Sequence, residues 1–207
     1  VDAITNQKKE GATETTVLGP FFVEGAEELP YGANISKDGR GEATLVMGSV
    51  CDLAGKPIAA ARLDVWQSDP DGFYDVQKSD EYPDGNLRGV FKSEENGRFA
   101  FCPTKPAPYP VPTDGPGGRL LLASGRHAWR PAHLHFMISA EDYEPATTHL
   151  FVKGSQYLDS DVVQAVKESL IVDFELCNAA DEAQTFGLPA SYFKLDHKFV
   201  LQSTGER

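Results

Sequence analysis

The chain has 207 residues, 41% of them apolar and 24% charged, which suits one globular unit with a sizeable core. A formal net charge of −12 argues against nucleic acid or an anionic membrane surface as partner, since both are polyanions, and leaves small neutral molecules open. No apolar run approaches the roughly 20 residues of a membrane span, no basic segment followed by an apolar one suggests a signal peptide, and Cys51, Cys102 and Cys177, scattered and odd in number, read as reduced thiols of a cytoplasmic protein.

In chain order, Val1 to Lys9 reads as the last turns of a helix. Val1 and Ile4 have helical spacing, Lys8 and Lys9 suit the negative end of the dipole, and Gly11 can terminate it. Residues 1–10 are therefore expected to be the end of a helical linker region that is otherwise missing, and residues 11–207 to form the main β domain. Thr15 to Phe22 is an apolar run broken by Gly19-Pro20, a rigid loop, and Gly25 to Gly41 is loop as well. Alternation then predicts strands over Thr44 to Val50 and Arg62 to Gln67, with a turn at Asp52 to Lys56, and Asn96-Gly97 introduces a strand at Arg98 to Phe101. Prolines between Pro103 and Pro116 predict a surface or pocket-lining loop, because proline cannot donate to a ladder. Short strands follow at His133 to Ile138 and His149 to Val152. One helix is expected near Ser160 to Ile171, on the apolar stripe Val162, Val163, Val166 and Leu170. Tyr192 to Leu201 alternates strictly. The sum is an all-β protein, an antiparallel sandwich with long loops and one short helix.

Within Arg130-Pro131-Ala132-His133-Leu134-His135-Phe136, strand geometry puts His133 and His135 on one face and Leu134 on the other. Two neutral imidazoles about one pleat repeat apart can hold one metal ion, with Arg130 a fixed cation beside it. Spacing alone leaves both a zinc site, completed by a third His or a carboxylate, and a two-His-one-carboxylate iron site open. Tyr74, in a Gly-x-Tyr turn after a strand, and Tyr109, held among prolines, add two phenols. A tyrosinate persists at neutral pH only beside a hard, highly charged cation, and Fe(III) is one.

Tyr74 in that turn, Tyr109 in Tyr-Pro-x-Pro-x-Asp-Gly-Pro, and Arg130-Pro-Ala-His133-x-His135 resemble, in order and context, the intradiol ring-cleavage dioxygenases, and most of all their hydroxyquinol branch. Val1-Asp2-Ala3-Ile4, Gly11-Ala12-Thr13-Glu14, Thr16 to Phe21 and Tyr157-Leu158-Asp159-Ser160-Asp161 extend the likeness over essentially the whole chain. The resemblance implies one Fe(III) per chain, held by Tyr74, Tyr109, His133 and His135, with O2 inserted between the hydroxyl-bearing carbons of hydroxyquinol to give 3-hydroxy-cis,cis-muconate, the tautomer of maleylacetate. It implies that Tyr109 leaves the metal when substrate binds and takes up a proton, and that Arg130 stabilises negative charge on the ring carbon that O2 attacks. It further implies an aromatic slot lined by Val17, Leu18, Gly19, Pro20 and Phe21 on one side and Val111 and Pro112 on the other, with Val163 a further wall. Thr147-Thr148-His149 stands where the catechol branch carries glutamine after the threonine pair, which supports the hydroxyquinol branch. Members of the family carry a helical domain ahead of this point that mediates dimerisation, so a homodimer is expected where that domain is present.

Other readings of single residues are structural. His133 and His135 alone are ordinary strand histidines, and Tyr74 and Tyr109 alone are sandwich-edge aromatics. His127 is expected to face solvent, His197 to be a packed or edge histidine, and His149 to support the metal shell or form a pocket wall. Asp69-Pro70-Asp71-Gly72 lacks the spacing of a calcium loop. The enzymatic rival is the same chemistry on catechol or a chlorocatechol. The rival of another class is a metal-free β-sandwich binding module, in which the two tyrosines and two histidines would lie apart.

Overall fold

The computed structural model describes residues 8–206. Among the described residues the regular structure is eleven strands, two α-helices and three short 3-10 turns. The strands are β1 (Thr44–Asp52), β2 (Arg62–Trp66), β3 (Arg88–Lys92), β4 (Arg98–Phe101), β5 (Tyr109–Pro110), β6 (Trp129–Arg130), β7 (His133–Ser139), β8 (Ala146–Val152), β9 (Ile171–Val172), β10 (Glu175–Cys177) and β11 (Tyr192–Leu201). The helices are α1 (Pro116–Ala123) and α2 (Ala180–Phe186). One sheet runs β10-β11-β1-β4, the other β3-β2-β7-β8-β9, and β5-β6 is a separate two-stranded ribbon.

The two large sheets face each other across an apolar core. Phe99 and Phe101 of β4 and Phe199 of β11 meet Phe136 of β7, with Phe136 and Phe199 ring centroids 4.7 Å apart. Period-two alternation decides the rest. Leu134, Phe136 and Ile138 point from β7 into this core, which leaves His133 and His135 on the opposite face. Register then builds the site: Trp66 of β2 pairs with His135, and His135 with His149 of β8, so three rings form one row across three strands. The ribbon pairs Tyr109 with Arg130, and Pro131 separates that ribbon from β7.

Several expectations need correction. The sandwich is not purely antiparallel, because β1 pairs with β11, and β8 with β9, in parallel. No helix forms over Ser160 to Ile171; the stretch is turns and coil with a single 3-10 turn at Glu168–Leu170. The apolar stripe there lost to local polar bonding. The Asp161 carboxylate takes the backbone N–H groups of Val163 and Ala165, and Gln164 sits at φ 54°, outside the right-handed region a helix needs. Among the described residues two helices form elsewhere. The first rises from the proline-rich loop, with Pro116 in its opening turn where a missing N–H costs nothing. The helix end assigned to Val1 to Lys9 falls largely on residues 1–7, outside the described residues, and Lys8 and Lys9 are coil. The three cysteines are free, with Cys51 and Cys102 buried. Among the described residues no helix is long and apolar enough to cross a membrane.

Candidate metal centre

Tyr74 comes from the turn that follows β2. Asp69 shapes this turn, accepting from the backbone N–H of Asp71 at 3.0 Å and of Phe73 at 2.8 Å, while Arg40 holds its other oxygen at 2.6 Å. The Asp69-Pro70-Asp71-Gly72 stretch is thus an Asx-type turn whose carboxylate is already occupied. The Gln77 side chain accepts from the Tyr74 N–H at 2.9 Å. Tyr109 is delivered by the ribbon, His133 and His135 by β7.

Tyr74, Tyr109, His133 and His135 are each at most 2% exposed and converge on one point. Tyr74 Oη lies 3.4 Å from Tyr109 Oη and 3.1 Å from His135 Nε2, and the two Nε2 atoms are 3.1 Å apart. Bonds of about 2.0–2.1 Å to a shared ion set neighbouring donor atoms about 2.9–3.4 Å apart, and these separations suit such a ligand set. The tautomer of His133 agrees. Its Nδ1 lies 2.7 Å from the Pro131 carbonyl, to which it can only donate, leaving Nε2 unprotonated as an acceptor or ligand atom. Two nitrogen and two phenolic oxygen donors around a buried point suit a hard trivalent cation.

The electrostatics run the same way. Burial lowers the pKa of His133, His135 and His149 well below the ordinary histidine range, and the Arg130 charge adds to the effect. All three rings are therefore neutral at pH 7. Burial pushes the Tyr74 phenol well above its usual value, so it ionises only beside a strong cation. Arg130, itself 3% exposed, brings Nη1 to 3.1 Å from His133 Nε2 and 3.5 Å from Tyr109 Oη.

His149 is fully buried, and together with His133 and His135 it offers three imidazole nitrogens within 4.8 Å of one another. Its Nδ1 bonds the Thr16 hydroxyl, while Nε2 has no partner. Thr16 was not expected at the site; its position directly before the Val17 loop was the available signal. Trp66 stacks on His135 at 4.7 Å and 17° and fixes the plane of that ring.

The expected slot residues divide. Phe21 and Val111 pack on the Trp66–Tyr74–Tyr109 cluster. Gly19, at φ 78°, approaches so closely that a Cβ there would lie 3.3 Å from His135 Cε1. Val17, Leu18, Pro20, Pro112 and Val163 are exposed, Val17, Leu18 and Val163 at 40–42%, and none packs on this cluster. His127 is half-buried, bonded to Ser160 Oγ at 2.9 Å, and His197 is a half-buried histidine of β11; neither joins the donor cluster. Asp161, which sequence reasoning left without a role, lies against Arg130.

Comparison with known proteins supplies the remaining constraint. A family model described as Dioxygenase matches residues 17–203. The chain is 52% identical over 202 residues to a hydroxyquinol 1,2-dioxygenase of Rhizobium sp. (strain MTP-10005), spanning 97% of this chain and 68% of that protein. It is 48% identical over 203 residues to a 6-chlorohydroxyquinol 1,2-dioxygenase of Cupriavidus pinatubonensis, spanning 98% of this chain and 69% of that protein. Among solved structures, a hydroxyquinol 1,2-dioxygenase from Pseudomonas putida superposes with a TM-score of 0.90 at 46% identity, covering 98% of this chain and 70% of the other.

Proposed function

The chain belongs to the intradiol ring-cleavage dioxygenases, and on that premise we propose that it binds one Fe(III) through Tyr74, Tyr109, His133 and His135 and cleaves hydroxyquinol with O2 to 3-hydroxy-cis,cis-muconate. The observation that carries this reading is the meeting of two phenol oxygens and two Nε2 atoms at 3.1–3.4 Å from their neighbours in a buried pocket. A metal-free binding module has no need of such a meeting.

When bound, ferric iron would acidify the hydroxyls of the diol, and their deprotonation leaves an electron-rich ring open to O2. The chain's own groups do the rest. Tyr109 accepts a proton from the diol at its phenolic oxygen. Arg130 aims Nη1 at the same space and supplies fixed positive charge where negative charge grows on the attacked ring carbon. Phe21 and Val111 form the apolar side of a slot that admits a flat ring and excludes water. His149 presents a neutral, unpartnered Nε2 to the ligand shell, a hydrogen-bonding ring that a glutamine would replace with an amide. Together with the two hydroxyquinol-named relatives, His149 favours a trihydroxybenzene over catechol or a chlorocatechol. The setting is cytoplasmic, in keeping with three free thiols.

Oxygen uptake measured side by side on hydroxyquinol, catechol and 4-chlorocatechol tests the proposal, with metal analysis and a visible spectrum on the same preparation. A wine-red protein with one iron per chain and fastest uptake on hydroxyquinol is expected. A preparation that stays colourless after iron is supplied would refute the iron site. Faster turnover of catechol would refute the substrate alone.

A further inference from the structure

We propose that Asp161 is the positioning residue for Arg130: its carboxylate grips one edge of the guanidinium and so aims the other edge at the reacting ring. The inference rests on the intradiol reading above. The side chains of Arg130 and Asp161 are 3% and 2% exposed. Asp161 Oδ1 accepts from Arg130 Nε at 3.2 Å, and Oδ2 faces Nη2 at 3.5 Å. A guanidinium is planar, so holding its Nε–Nη2 edge fixes the direction of Nη1. Nη1 is the nitrogen that reaches His133 Nε2 at 3.1 Å and Tyr109 Oη at 3.5 Å.

Asp161 is itself held. Its Oδ2 accepts from the Ala165 N–H at 2.9 Å, its Oδ1 from the Val163 N–H at 3.4 Å, and its carbonyl from the Gln164 N–H at 2.9 Å. Tyr157 and Gln164, on either side of it, occupy left-handed φ values of 70° and 54°, where non-glycine residues persist only if the surroundings hold them. One carboxylate therefore orders both the cation and the turn at residues 163–165. Its contribution is direction and not charge, because a carboxylate beside Arg130 reduces the positive field at the reacting ring.

The test compares the holoenzyme with Asp161→Asn, Arg130→Gln and the double variant, reading kcat, KM, the visible spectrum with and without anaerobic hydroxyquinol, and thermal unfolding. Asparagine keeps one acceptor oxygen for the backbone amides of Val163 and Ala165, and loses the second together with the ionic grip. Asp161→Asn is expected to lose about 10–100-fold in kcat, with KM and the visible band within about twofold of the parent. In the Arg130→Gln background the same change is expected to cost less than about threefold more, since what it oriented is already gone. A kcat for Asp161→Asn within about threefold of the parent, or single losses that multiply in the double variant, would overturn the assignment. If Asp161→Asn alone does not fold, Asp161→Glu, which keeps the charge and displaces it, takes its place as single variant and in the Arg130→Gln background, and decides by the same criterion. A parent lacking iron and colour overturns the reading beneath; a red, active parent with an indifferent Asp161 overturns this inference alone.

Discussion

Phe21 lies almost flat on Tyr74, ring centroids 4.3 Å apart and planes 20° apart. The contact joins a loop from the front of the chain to a ligand candidate more than fifty residues on, and a buried guanidinium reinforces it. Arg88, 5% exposed, donates to the Phe21 carbonyl at 3.2 Å and pairs with Asp75, the neighbour of Tyr74. An aromatic pair of this kind contributes about 0.5–1.5 kcal/mol beyond its buried area. Phe21→Ala is expected to raise KM for hydroxyquinol about two- to tenfold, the equivalent of that energy, and to leave iron content intact. Steady-state kinetics with metal analysis checks it; an unchanged KM would remove Phe21 from the slot.

Gly72 couples the two phenols through their backbones. It sits at φ 86° in the turn that delivers Tyr74, and a Cβ added there would stand 2.9 Å from Tyr109 Cβ. Gly72→Ala thus combines a left-handed strain of about 1–2 kcal/mol with pressure on the second phenol. We expect a lower melting temperature and a displaced visible band in one variant. Loss of stability with an unaltered band would mean that Tyr109 tolerates the shift.

Much of this site was legible because its ligand candidates travel in short, chemically odd phrases: a tyrosine among prolines, and two histidines alternating on a strand behind an arginine. The strands of the core were legible from alternation, as in Tyr192 to Leu201, which is β11 residue for residue. Its parallel pairing with β1 was not, since no local signal records which distant strand a strand joins. The stripe Val162, Val163, Val166 and Leu170 misled because periodicity counts apolar side chains and ignores a carboxylate that captures backbone donors. Helix α2 left a fair trace, with Asp181 and Glu182 in its first turn and Gly187 in left-handed conformation at its end. The role of Asp161 left none, because its partner is 31 residues away.

Tyr109→Phe removes one phenol oxygen while keeping the ring that packs beside His133, centroids 5.4 Å apart. The fold is expected to survive and the visible band to shift as one of its two charge-transfer donors disappears. Turnover should fall by about 10²–10⁴, the range for losing a positioned acid–base group. Stopped-flow oxygen consumption and the absorption spectrum check both arms. An unchanged spectrum would show that Tyr109 is not bound to the metal.

His197 offers a pH prediction away from the site. Its ring packs on Phe199, centroids 4.7 Å apart, and burial lowers its pKa to about 4 from an ordinary 6.5. As pH falls below 6.5 the unfolded chain takes up a proton that the folded chain refuses, so stability declines on acidification and stops declining on this account near pH 4. His133, His135 and His149 are shifted in the same direction and steepen the decline. Solvent screening of a half-buried ring cuts the full linkage value to about 1 kcal/mol between pH 7.5 and 5, or about 2–4 °C in melting temperature for a chain of this size. His197→Gln should recover that increment at pH 5 relative to its own value at pH 7.5. Parallel melting curves for the two proteins across this range would place the acid sensitivity in the three histidines of the site instead.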